Sequence, residues 1–140
     1  MTHLSPIIIA ITMAAVLSAC GANSPKPEIA KTIAEQFYEA RLAGDNAAAL
    51  SHYASQRPAE TWQAHLDHIE SSLGALQRYE LKRSEVNTVF SGRYYIFDYT
   101  THYSSGAMAR ETLTIFNKVG EEETAIVAHD VSADGFKPLL

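Results

Sequence analysis

The feature that most constrains the fold is a change of hydrophobic period at Gly74. Before it, apolar residues recur every three to four positions; after it they alternate with polar ones. In the first half, Ile29, Ile33, Phe37 and Ala40 share one helical face, behind a start suited to a helix: Pro27, whose missing N–H costs nothing there, and Glu28, which complements the dipole. That helix is expected to stop at Ala43-Gly44. Asp45 then caps a second, short one over "NAAALSHYA". A third is expected from about Pro58 to Gly74, with Trp62, Leu66, Ile69 and Leu73 on its buried stripe. In the second half, "LQRYELKRSEV", "RYYIFDYTTHY", "MARETLTIF" and "TAIVAHDV" are rich in β-branched and aromatic residues and separated by turn residues, which reads as four strands joined by hairpins. Helices followed by strands imply an α+β domain in which the helices pack on one face of a four-stranded antiparallel sheet.

The extreme N-terminus follows a different logic. "MTHLSPIIIAITMAAV" is apolar from Ile7 to Val16 except at Thr12, and no acidic or basic side chain precedes Lys26. A membrane-spanning helix needs roughly 20 apolar residues, so this run is too short to span and suits a secretory h-region. It closes on Leu17-Ser18-Ala19-Cys20, whose small residues Ser18 and Ala19 suit a signal peptidase and whose cysteine is the only one in the chain. "LSAC" behind an h-region resembles the lipobox of bacterial lipoproteins. The resemblance implies cleavage between Ala19 and Cys20, diacylglycerol on the Cys20 thiol and acylation of the new amine. Two or three chains make a stable anchor where one gives only reversible binding. In enterobacterial members an aspartate after the cysteine retains the protein in the inner membrane. Gly21 stands there instead, so the resemblance implies the outer membrane, with the domain facing the periplasm. The n-region "MTH" departs from the pattern in having no Lys or Arg.

The expected organisation is therefore a signal peptide over 1–19, a lipidated tether over 20–27 and a single domain over 28–140. Both charged classes, 16 acidic and 11 basic residues, lie beyond Cys20, so the net charge of −5 belongs to the domain and tether. This balance, with no basic stripe, argues against nucleic acid or anionic lipid as a partner. With one cysteine, no internal disulfide forms.

The order of helix, "AGD" turn, helix, Trp-bearing helix and meandering sheet resembles the nuclear transport factor 2-like (cystatin-like) superfamily, a cone-shaped α+β fold. "RLAGDNAAAL", "WQAHLDHIESSLGAL", "GRYYIFDYTTHY" and "ETLTIF" are similar, more narrowly, to an uncharacterised family of exported bacterial domains, domain-of-unknown-function family 4019. The last strand departs from that family in lacking its tryptophan and aromatic. The superfamily hosts enzymes and binding modules alike, so the resemblance implies a fold and no activity.

Few residues suggest chemistry. His65 and His68 have a three-residue spacing found in metal sites, but no cysteine or His-Glu motif completes a ligand set. His65 is expected at the edge of the third helix's apolar stripe, His68 further toward water and His52 on the second helix; ordinary surface histidines are the simpler reading. No metal and no cofactor is expected. Asp98 stands in the middle of an aromatic strand, with Tyr94, Ile96, Thr100 and His102 on its face and Tyr95, Phe97, Tyr99 and Tyr103 on the other. Were Asp98's face to line the interior, its carboxyl would be a desolvated general base. Bulky groups on both faces also imply a partner for the outer one: a second copy of the chain, or another envelope protein. A non-catalytic binding or interaction module on a lipid anchor is the leading expectation, and a small-pocket enzyme using Asp98 the alternative.

Overall fold

The computed structural model describes residues 27–140. The expected signal peptide over 1–19, its cleavage and lipidation residues Ala19 and Cys20, and the expected tether up to Lys26 lie outside the described residues. Three helices come first, α1 (Pro27–Leu42), α2 (Asn46–Leu50) and α3 (Ala59–Leu73). Four strands follow, β1 (Leu76–Val89), β2 (Gly92–Tyr103), β3 (Met108–Lys118) and β4 (Thr124–Ala133). The strands pair antiparallel in the order β1-β2-β3-β4, an open meander with the helices against one face, which is the expected α+β arrangement.

The α1–α2 corner shows how a few residues position an element. Gly44 takes φ +70°, Asp45 N–H donates to Ala40 O and Gly44 N–H to Arg41 O, the paired bonds that close a helix through a left-handed glycine. Asp45 then accepts from Ala48 N–H at 2.9 Å through its side chain, capping α2. Because α2 has five residues, one lost cap is a large share of its bonding. Asp45→Ala is expected to cost about 1 kcal/mol, seen as a lower urea midpoint at unchanged m-value.

The second helix is shorter than expected. It ends at Leu50 because the next residues pair with the sheet: Ile126 N–H donates to His52 O and Ala54 N–H to Ile126 O, both at 2.8 Å. His52 therefore lies in a turn rather than on a helix. At the other joint, Gly74 at φ +90° carries α3 into β1, where a Cβ would stand 2.2 Å from Ser104 Oγ. Only glycine fits that approach.

The core lies between the helices and the inner sheet face. Ala30, Ala34, Phe37 and Tyr38 of α1 and Trp62, Leu66, Ile69 and Leu73 of α3 are buried against Tyr95, Phe97, Tyr99 and Tyr103 of β2, Leu113 and Ile115 of β3 and Ile126 of β4. Tyr53 stacks on Trp62 with ring centroids 4.1 Å apart, and Phe37 meets Tyr53 edge-on. One position departs from the expected pattern. His65, expected at the edge of the α3 stripe, is 1% exposed. It lies three residues after Trp62 and four before Ile69, hence on their face, and β4 closes over it through His129.

Candidate functional site

An acid sits on the inner face of the sheet. Alternation along β3 turns Ala109, Glu111, Leu113 and Ile115 inward, and Glu111 is fully buried. An isolated carboxylate there is untenable, and this one is surrounded by donors from three other elements. Oε1 accepts from Thr101 Oγ1 at 2.7 Å and, in a very short contact, from the Tyr103 hydroxyl, both on β2. Oε2 accepts from Arg41 Nη1 at 2.8 Å and from the Tyr38 hydroxyl at 3.1 Å, both on α1, and bonds His129 Nε2 of β4 at 2.8 Å. Arg41 Nη2 also donates to the Tyr103 hydroxyl at 2.9 Å.

The protonation pattern follows from who can donate. An ionised carboxylate only accepts, so His129 carries its proton on Nε2, and its Nδ1 accepts from the Tyr53 hydroxyl 2.8 Å away. Burial alone would raise the Glu111 pKa, but Arg41, His129 and Tyr103 outweigh it and hold the carboxyl well below the usual range. Arg41 is held charged in the same way: burial opposes its charge, and Glu111 and Tyr103 more than compensate. Burial lowers the His129 pKa in spite of Glu111, so its ring is neutral.

His65 packs edge-on against the His129 ring, centroids 5.0 Å apart, and neither of its nitrogens has a hydrogen-bond partner. Burial pushes its pKa down to about 4, with the His129 ring and Arg41 acting in the same direction. A neutral imidazole with both nitrogens desolvated is costly to keep.

Beside Arg41 lies a cavity of about 190 Å³ between the ends of α1 and α3 and the start of β1. Arg41, Asn46, Leu66, Glu70 and Leu76 contribute to its wall, and Asn46 Nδ2 donates to Glu70 Oε2 at 3.3 Å.

The other residues singled out from sequence do not join this cluster. Asp98 is on the opposite sheet face, half-buried, its Oδ1 accepting from Thr112 Oγ1 at 2.7 Å. The interior is lined by the strand's other face. His68 points away from His65: its Nε2 bonds the Lys137 carbonyl at 2.8 Å and its ring packs on Phe136. Among the described residues no group of three His, Cys, Asp or Glu side chains is placed to hold a metal ion. Nor is any described helix long and apolar enough to cross a membrane.

On the outer sheet face, Tyr94, Ile96, Asp98, Thr100 and His102 of β2 are half-buried. Tyr94 rests on Phe116 with ring centroids 4.5 Å apart, and His102 Nε2 meets Arg78 Nη2 at 2.8 Å. No described helix covers this face.

Sequence reasoning missed Arg41, Glu111 and His129, the centre of the polar cluster. One signal was available: in "ARETLTIF" strict alternation puts Glu111 on the side of Leu113 and Ile115. A charge at an inward position requires a buried partner, and Arg41 is the only basic residue near the buried face of α1. The pairing itself is between residues 70 apart in sequence. No protein-family model matches the chain, and no curated protein matches it.

Proposed function

We propose that this chain is a lipid-anchored protein of the bacterial cell envelope whose α+β domain binds a partner or ligand without catalysing a reaction. The signal peptide ends at Ala19, Cys20 carries the lipid, and the anchored domain faces the periplasm from the outer membrane. The domain is read as nuclear transport factor 2-like and cone-shaped, related to domain-of-unknown-function family 4019. Its partner, a second copy or another envelope protein, docks on the outer sheet face.

The observation that carries the non-catalytic reading is that the buried acid–base groups are committed to one another. General acid–base catalysis works best with a pKa near the ambient pH and a proton within reach of substrate. Glu111 is held ionised by five donors out of contact with solvent. His129 uses both ring nitrogens, and His65 is pushed to about 4. Asp98 lies on an open surface with Thr112 as its partner. Such a network fixes the relative positions of α1, β2, β3 and β4, which suits a domain that presents a shaped surface.

Two variants test the two halves of this reading. Cys20→Ser is expected to move the protein from the membrane to the soluble fraction, with mass spectrometry of the parent protein showing a lipidated N-terminal Cys20. An unmodified Cys20 in the parent, or a retained leader, refutes the anchor. Asp98→Asn is expected to leave stability within about 0.5 kcal/mol, as for surface substitutions, and to leave every cross-linked partner in place. Loss of a cellular phenotype without loss of stability or of partners would instead make Asp98 the base of an enzyme.

A further inference from the structure

β1 is exposed along most of its length and runs out to an exposed turn into β2. Phe90 and Ser91 form the two-residue connection between Val89 and its partner Gly92. Phe90 is fully exposed, and Val86 and Val89 are exposed beside it. The β3–β4 turn joins the same tip, since Val119 N–H donates to Ser91 O at 3.0 Å and the Val119 side chain is also exposed. Between the two turns lies an open groove of about 550 Å³, to which Val89, Phe90 and Val119 contribute. Neither local structure nor packing accounts for Phe90. Phenylalanine has no turn preference to satisfy at such a position, and its ring touches no core. A cluster of large apolar side chains at one exposed tip is an interaction surface by default.

The path of α1 shows what lies on that side. Arg41, near its C-terminal end, reaches Tyr103 and Glu111, whereas Tyr38, one turn earlier, packs on Tyr99. Going back along the helix from Arg41 to Tyr38 therefore moves along β2 from Tyr103 to Tyr99, so α1 runs toward its start at Pro27 in the direction of the β1–β2 turn. Seven residue steps separate Pro27 from Cys20, at most about 25 Å of extended chain. Resting on the lipid-anchor reading, we infer that the Val89-Phe90 tip, together with Val119, inserts into the surface of the bilayer to which Cys20 is anchored and orients the domain on it. An anchor this close gives an effective concentration on the order of millimolar, so a contact too weak to hold a free protein suffices. Phenylalanine suits the interfacial region because its ring is buried at the acyl boundary. Arg93 and Lys118 flank the tip, but Glu121, Glu122 and Glu123 follow in the same turn and Lys118 pairs with Glu121. The contact is therefore apolar rather than electrostatic and needs no anionic lipid.

The experiment uses the mature lipidated protein in phosphatidylcholine vesicles, with flotation to establish that it is bound. The sole native tryptophan, Trp62, is buried and serves as a constant background. Phe90→Trp places a reporter at the tip and Ser105→Trp one in the β2–β3 turn at the opposite end of the sheet. Lipids brominated near the headgroup end of their chains are expected to quench Phe90→Trp several-fold more than Ser105→Trp, with a blue-shifted emission, and equally at low and high salt. Equal, weak quenching of the two reporters on protein that floats overturns the tip contact and leaves the anchor standing. A photo-cross-linker at position 90 that captures a second copy or another protein in place of lipid also overturns it. Protein that does not float and carries an unmodified Cys20 defeats the anchor reading and the tip contact together.

Discussion

Arg41→Met is expected to destabilise the protein by about 3–5 kcal/mol, because it leaves the Glu111 carboxylate charged and unpaired where water cannot reach it. The methionine replaces much of the arginine stem, so the loss is one of charge compensation more than of packing. Adding Glu111→Gln to that variant is expected to restore stability. The amide keeps its oxygen for the Thr101 and Tyr103 hydroxyls, turns its NH2 toward the Tyr38 hydroxyl oxygen and no longer brings a charge into the core. The double variant should then be more stable than Arg41→Met alone, an interaction that denaturant curves of the two single variants and the double resolve directly. If the two losses simply add, the ion pair is not what holds this part of the core, and the account of Glu111 fails.

The second large effect is on acid stability. His65 has a folded-state pKa of about 4 against an ordinary value near 6.5, so between those values the unfolded chain binds a proton that the folded chain refuses. Stability therefore rises with pH through that window and is lost as pH falls from about 6.5 toward 4. A shift of this size corresponds to roughly 3 kcal/mol. His129, also buried neutral, contributes with the same sign. Trp62, Phe37 and Tyr53 face His65 or His129, and Arg41, Glu111 and, for His129, Asp130 act on their charge. Glu111, whose folded pKa is depressed, contributes stability that is present above the usual carboxylate range and lost only as pH falls below it. The two histidines thus govern the upper part of the acid transition and Glu111 the lower. His65→Leu removes two nitrogens held out of water at similar volume. It is expected to stabilise the protein, by more at pH 5 than at pH 7.5, and to flatten the upper part of the profile. A slope between pH 6.5 and 4 unchanged in His65→Leu would mean that His65 titrates normally in the folded chain.

The polar cluster and the exposed hairpin divide the labour of the domain. The first ties α1 to β2, β3 and β4 through bonds that lie out of reach of solvent, so the sheet is rigid where the helices cover it. The second leaves β1 exposed along most of its length, with its charges paired locally, Lys82 with Glu80 and Arg83 with Glu85. Charged residues along such an edge, together with the irregularity between Leu81 and Arg83, discourage pairing with further strands.

By itself the sequence determined the helix-then-strand order, the antiparallel meander, the α3 stripe of Trp62, Leu66, Ile69 and Leu73 and the two faces of β2, because each depends on period and on turn residues within a few positions of one another. The end of α2 at Leu50 was beyond it, since that boundary is set by the pairing of Tyr53 and Ala54 with Ile126 from the last strand. So was the burial of His65, decided by how closely β4 approaches α3. The convergence of Arg41, Tyr103, Glu111 and His129 on one point belongs to tertiary structure for the same reason: local period says which way a side chain faces, and only the packing of distant elements says what it meets there.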